Sequence, residues 1–240
     1  MIGSFLRAVY PRRCPCCRGV IAPDMLICPD CRSKFKAIAP PYCLKCGRTV
    51  PDGTEYCEEC RNKDHGYSAG ISVFVYDSRM RRSMSDFKFH GWRENGDYYV
   101  AETLRLHSGE ILDFAPDILV PVPIHRSKRA FRGYNQAELL AEGIGKALDI
   151  PVVNDLLFRA KRTRAQKTLG QENRSANLRQ AFACNTEKYD EEFITRSFRK
   201  VMIVDDIYTT GSTMEACTRV LTDAGVARVG ILCIAAGGGT

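Results

Sequence analysis

Four C-x2-C pairs crowd into the first quarter of the chain: Cys14/Cys17, Cys28/Cys31, Cys43/Cys46 and Cys57/Cys60. A gap of two residues lets two thiolates reach one tetrahedral metal ion, so each pair is half of a metal site. Ten residues separate Cys17 from Cys28, ten separate Cys46 from Cys57, and eleven separate Cys31 from Cys43. The segment is therefore a repeat of C-x2-C-x10-C-x2-C. Too few apolar residues lie within it to build a core, so metal binding must supply much of its folding free energy. Two successive zinc ribbons, each holding one structural Zn2+, are the simplest reading. Spacing alone leaves open an interleaved pairing of Cys14/Cys17 with Cys43/Cys46. Cys16, Cys184, Cys217 and Cys233 fall outside the pattern and read as small buried or surface residues.

Paired cysteine knuckles of this kind belong to a reducing cytosol rather than to a disulfide scaffold. The N-terminal stretch MIGSFLRAVYPRR lacks the apolar core of a secretory signal. No run approaches the roughly 18 apolar residues that a membrane span needs. A cytoplasmic protein without membrane insertion is expected. Its formal charge of +7 overstates its basicity: eight bound thiolates subtract eight and two zinc ions restore four, leaving about +3. Global charge is thus weak support for a nucleic-acid partner.

At 240 residues the chain can hold one full α/β domain beside this small module, with the ribbons at 1–62 and the larger domain at 67–240. Residues 62–66 read as a short linker. Strands are predicted over 71–76, 117–123, 151–158, 200–204 and 229–235. Helices are predicted over 79–89, 97–107, 134–148, 172–180 and 212–224, the last capped by Gly225. The 134–148 helix carries an apolar stripe of Leu139, Leu140, Ile144, Ala147 and Leu148. Alternating strands and helices imply a mostly parallel sheet flanked by helices, with ligands bound beyond the carboxyl ends of its strands.

One such strand end carries VMIVDDIYTTGST, Val201–Thr213. Four apolar residues run into Asp205 and Asp206, and then into the turn Thr209, Thr210, Gly211, Ser212 and Thr213. Backbone N–H groups at the start of the following helix form a phosphate cradle, and Gly211 lets the backbone approach closely. Adjacent carboxylates repel a phosphate but accept hydrogen bonds from a sugar diol. The two jobs together describe a ribose 5-phosphate. A helix cap alone accounts poorly for two carboxylates at that place.

Two basic segments accompany the motif. His125, Arg126, Lys128, Arg129 and Arg132 follow the strand ending at Pro123 and suit an anion the size of pyrophosphate, against the plainer reading of a solvated charged loop. Residues 157–182 hold Arg159, Lys161, Arg162, Arg164, Lys167, Arg174 and Arg179 against the single acid Glu172. That segment reads equally as a lid over a charged substrate, a strip for nucleic-acid phosphates, or a solvated loop.

Together these segments resemble the ComF family of competence-associated proteins, which are similar to type I phosphoribosyltransferases. VMIVDDIYTTGST resembles the phosphoribosyl pyrophosphate (PRPP) motif of that superfamily. VPVPIHRSKRAFRGYNQAELLA, the R-x-T-x-x-Q-x-x-L run at Arg162–Leu169, NRSANLRQAF, FKFHG (Phe87–Gly91) and the double zinc ribbon are more particular to ComF. The resemblance covers nearly the whole chain. It implies that Asp205 and Asp206 accept the ribose 2′- and 3′-hydroxyls and that residues 209–213 hold the 5-phosphate. Arg126, Lys128, Arg129 and Arg132 would meet pyrophosphate through Mg2+, and Arg159, Arg162, Arg164 and Lys167 would belong to a flexible loop. Asp206 is the implied source of electrostatic or general-base help. The implied activity is displacement at ribose C1 with an unknown acceptor. The alternative is a non-catalytic protein that binds single-stranded DNA or adapts a competence helicase or another uptake protein.

Overall fold

The computed structural model describes residues 11–160 and 181–237. Four strands, β1 (Ala69–Val75), β2 (Ile118–Pro121), β5 (Lys200–Tyr208) and β6 (Arg228–Ala236), form a parallel sheet in the order β1-β6-β5-β2. Val152 adds a parallel bridge to Leu119 beyond β2. A separate antiparallel pair joins β3 (Leu157–Arg159) to β4 (Phe182–Cys184). The segment expected as one strand over 151–158 therefore divides between the sheet margin and this hairpin.

Both faces of the sheet are covered, which is why its strands read as nearly continuous apolar runs. Val201 and Ile203 face a core shared with Ile118, Val120, Val229 and Ile231, under α6 (Glu191–Ser197) and α7 (Ser212–Asp223). Met202 and Val204 face the opposite core, shared with Leu119, Leu232 and Ile234. There α2 (Ser78–Phe89), α3 (Asn95–Phe114) and α5 (Gln136–Leu148) close the layer. Asp77 caps α2 by accepting the Arg79 and Met80 N–H groups, and Asn135 caps α5 through the Ala137 N–H.

The ribbons divide between these layers. Cys14, Ile21, Ile27, Cys31 and Phe35 join the α2/α3/α5 core, whereas Cys43, Cys46, Val50 and Cys57 join the α6/α7 core. Between them, the Ile38 N–H donates to the Val73 carbonyl and the Val75 N–H to the Lys36 carbonyl, each at 2.8 Å. These bonds occupy the outer edge of β1, which would otherwise be open to pairing with another chain.

Several expectations need correction. α5 buries Gln136, Ala137, Leu140, Ala141, Ile144 and Gly145, while Ala147 is exposed and Leu139 and Leu148 are half-buried. Its inward face is rotated toward small residues, which let the helix lie close to the sheet. Residues 62–66 are no free linker: α1 (Glu58–Asn62) runs into them, and His65 is buried, stacked on Tyr67 at 4.9 Å. β5 continues through both aspartates to Tyr208, four residues past its predicted end. α3 exceeds its predicted bounds, β4 and α6 were not expected, and the helix predicted over 172–180 lies outside the described residues.

Candidate functional site

The eight paired cysteines gather sequentially: Cys14, Cys17, Cys28 and Cys31 in one cluster, Cys43, Cys46, Cys57 and Cys60 in the other. Within each cluster the sulfur atoms all lie within 4.8 Å of one another. The interleaved arrangement is not the one adopted. Four converging thiols without a disulfide are the donor set of a closed structural Zn2+ site, and both clusters fit one. Of the cysteines outside the pattern, Cys217 and Cys233 are buried and Cys16 and Cys184 are half-buried.

At the carboxyl end of β5, strand alternation turns the two adjacent aspartates to opposite faces of the sheet. Asp205 pairs in register with Cys233 of β6 and shares its face with Cys217 of α7. Asp206 faces the α2 layer, where Lys88 Nζ reaches its Oδ1 at 2.8 Å. The Asp205 Oδ1 accepts the Asp206 N–H at 2.8 Å. Burial first, and the Asp206 charge second, push the Asp205 carboxyl up from 3.8 to about 7, with Lys88 opposing them. The buried thiols of Cys217 and Cys233 are likewise raised, chiefly by burial and then by the Asp205 charge.

Past Tyr208 the chain turns sharply into α7. Thr209 and Thr210 are exposed, and Gly211 takes a φ of +71° as the N-cap residue. A Cβ at Gly211 would run into the Tyr208 phenol, so glycine is required twice over, by conformation and by space. No side chain caps α7; the Thr210 and Ser212 hydroxyls bond each other at 2.9 Å. Among the described residues, no side chain accepts from the first N–H groups of α7, as an anion cradle requires. Beneath the turn, Arg48 donates to the Thr209 carbonyl, and the Tyr67 and Tyr208 hydroxyls meet at 2.8 Å.

The basic segment after β2 is a short helix, α4 (Arg126–Arg132), and not a loop. His125 caps it through the Ser127 N–H, and Gly133 ends it with a φ of +78°. Helical spacing sorts its cations. Partial desolvation, then the charges of Arg132, Arg159 and Lys88, lower the Lys128 pKa, while Asp206 raises it. Those five groups therefore share one electrostatic neighbourhood. Arg129 turns away to Glu138 at 2.5 Å. Arg132 bonds Gln136 at 2.8 Å and lies over the Phe89 ring at 4.7 Å. Arg126 is exposed. Arg159 leaves β3 over the Phe182 ring at 5.2 Å, whereas Arg162, Arg164 and Lys167 lie outside the described residues.

Two residues here were not singled out from the sequence. Lys88 stood in view within FKFHG, but nothing local pointed it at Asp206. Arg48 follows Cys46 by two positions and carried no signal at all.

A double zinc ribbon domain family matches residues 5–61, and a phosphoribosyl transferase domain family matches residues 135–240. Competence protein F of Haemophilus influenzae is 30% identical over 231 residues, spanning 90% of this chain and 93% of that protein. Competence protein ComFC of Bacillus subtilis is 29% identical over 216 residues, 87% of this chain and 82% of its own length. DNA utilization protein YhgH of Escherichia coli K12 is 27% identical over 200 residues, 80% of this chain and 82% of that protein. Among the described residues, no helix is long and apolar enough to cross a membrane.

Proposed function

The chain belongs to the ComF family of competence proteins, and from that membership we propose that it binds PRPP at the carboxyl end of β5. The supporting observation is that two adjacent carboxylates, one on each face of the strand end, adjoin a sterically required glycine turn opening α7, with Lys88 paired to Asp206 and Lys128, Arg132 and Arg159 in the same field. In this reading the α7 N-terminus takes the 5-phosphate, and the ribose diol lies across the end of β5, where Asp205 accepts from it on one face and Asp206 on the other. The cations meet the pyrophosphate. Its Mg2+, when bound, adds positive charge at the leaving group. In a transfer, the bond from ribose C1 to the pyrophosphate oxygen breaks, the electron pair leaving with pyrophosphate, positive charge develops on the ring, and the acceptor's nucleophilic atom bonds to C1. Lys88, Lys128, Arg132 and Arg159 stabilise the departing anion electrostatically. Asp206, ion-paired with Lys88, is the electrostatic partner of that charge. Asp205, its carboxyl pushed up to about 7 by burial, is a second group able to accept a proton there. The protein would do this in the cytoplasm, in the service of competence or DNA use, on an acceptor still to be identified.

Calorimetric titration of PRPP with Mg2+ tests the reading. Asp205→Ala combined with Asp206→Ala should weaken binding at least about tenfold. Unchanged affinity would remove the site. An ionised carboxylate accepts the diol's hydrogen bonds more strongly than a neutral acid, so affinity should rise as pH passes upward through about 7. Asp205→Asn should flatten that component. The stability sign is opposite: the raised Asp205 pKa costs the free protein stability as pH climbs from 3.8 toward about 7, a cost that Asp205→Asn removes.

A second reading, single-stranded DNA binding with or without a helicase or other uptake partner, draws on the aromatic residues among the same cations. Phe131 on α4 is 77% exposed and Phe89, under Arg132, is 53% exposed. Exposed rings between cations form a stacking platform for unpaired bases. Affinity for an oligothymidine should then fall steeply with salt and weaken several-fold in Phe131→Ala. Binding that is absent, or indifferent to salt, would exclude this reading.

A further inference from the structure

We propose that Arg48, delivered by the second cysteine cluster, is a positioning residue for the turn at residues 209–213, and that it aims the Thr210 N–H at the bound 5-phosphate. The inference rests on the reading of that turn as the 5-phosphate loop and adds to it a residue from a different part of the chain.

Arg48 is an unusual arginine. It is only 7% exposed, and among the described residues its Nε has no hydrogen-bond partner. Burying a guanidinium is costly unless something compensates. No carboxylate among the described residues pairs with it. Its compensation is the Thr209 carbonyl, to which Nη2 donates, and the face of the Tyr208 ring 5.0 Å away.

Its place is set by the metal cluster. The Arg48 carbonyl accepts the Cys43 N–H at 2.7 Å, closing the knuckle that turns through Cys46 and Gly47. The cluster thus fixes the backbone from which the guanidinium reaches across a separation of 161 residues in sequence.

The consequence follows from peptide geometry. The Thr209 carbonyl and the Thr210 N–H belong to one planar trans unit and point in opposite directions. An arginine holding that carbonyl from the buried side aims the N–H away from itself, toward the side on which Thr210 is exposed. The positive charge also polarises the peptide, which strengthens its N–H as a donor. Other groups beside the ribbon keep this unit from shifting. The Tyr67 hydroxyl holds Tyr208, and His65 stacks on Tyr67 and backs onto Gly211. The Gly66 N–H donates to Glu215 of α7 at 2.9 Å. A neighbouring cation without this bond would supply long-range attraction but no orientation.

Two half-ligands separate this role from a general electrostatic one. Ribose 5-phosphate and Mg2+-pyrophosphate are each titrated calorimetrically into wild type, Arg48→Met and Arg48→Lys, with zinc content and melting temperature followed in parallel. Arg48→Met keeps the buried stem and should weaken ribose 5-phosphate about tenfold. Pyrophosphate binding, at the α4 end of the site, should stay within about twofold. Arg48→Lys keeps the charge but loses the planar fork, so it should give a smaller loss, about threefold, again confined to ribose 5-phosphate. If Arg48→Met loses its zinc or its fold, Arg48→Lys decides by the same pair of titrations. Unchanged ribose 5-phosphate affinity, or equal loss of both ligands, overturns the proposal. A wild type that binds neither ligand overturns instead the reading of the turn as a phosphate site.

Discussion

The two halves of the cysteine repeat share one spacing but hold different positions in the molecule. In the first, Cys17 is exposed, while Cys14, Cys31 and Phe35 are buried in the α2/α3/α5 core. Arg18 forks onto Asp86 with two bonds of 2.9 Å, and Arg13 and Arg18 flank Trp92 at 5.9 Å. In the second, Cys43, Cys46 and Cys57 are buried in the same core as β5 and α7. Its backbone is pressed against β1: the Ser72 hydroxyl donates to the Cys46 carbonyl at 2.9 Å, and Gly47 and Gly70 meet with no room for a side chain. Both ribbons reach a core, but the first leaves one of its ligands exposed, whereas the second keeps three of its four ligands buried and none exposed. Equal ligand spacing equalises the metal sites and says nothing about how deeply each is embedded.

The sharpest way to break this contrast is to remove one ligand from each cluster. Structural zinc contributes on the order of 10 kcal/mol to folding, comparable with the whole stability of a domain. Cys46→Ser should therefore abolish the cooperative thermal transition, because three of that site's four ligands are buried in the core beneath β5 and α7. Cys17→Ser should lose zinc from the exposed cluster, retain the other ion, and still melt cooperatively at a lower temperature. Matching losses in calorimetry and zinc analysis would show that the two ribbons are equally integral.

A smaller effect is expected from glycines near each cluster. A Cβ at Gly70 would lie 2.6 Å from the Lys45 carbonyl oxygen and 2.7 Å from the Cys46 Cα, both backbone atoms that cannot swing aside. Gly70→Ala should cost about 3 kcal/mol and lower the melting temperature by roughly 10 °C. Beside the first cluster, a Cβ at Gly19 would, among the described residues, meet only the Cys17 sulfur at 3.4 Å, an ordinary contact. Gly19→Ala should change stability by less than about 1 kcal/mol. Similar costs at the two positions would mean that the second ribbon can slide on β1.

The embedding of the second ribbon was invisible in the repeat, and the reason is physical. Cys43, Cys46, Cys57 and Cys60 announce themselves through local spacing, since a two-residue gap sets the reach of a knuckle. The packing of Gly47 on Gly70 depends on a sheet edge supplied by a different segment. The same division runs through the candidate site. Apolar periodicity makes β5 and α7 legible, yet it ends at residue 204, so it carries no sign of the strand alternation at Asp205 and Asp206. Continued to Tyr208, the strand separates the two carboxylates and gives them different neighbours. α4 escaped recognition because seven residues rich in arginine and lysine carry no apolar stripe.

What the sequence determined by itself is whatever neighbouring residues settle among themselves. That includes four metal-binding knuckles, a buried strand running into a glycine turn at a helix start, and a set of basic segments at strand ends. Their combination was enough to reach the family. Tertiary structure alone decided which acceptor each cation meets: Lys88 the Asp206 carboxylate, Arg129 that of Glu138, and Arg48 the Thr209 carbonyl. Partners so far apart in the chain are selected by how layers pack, and no local pattern encodes that choice.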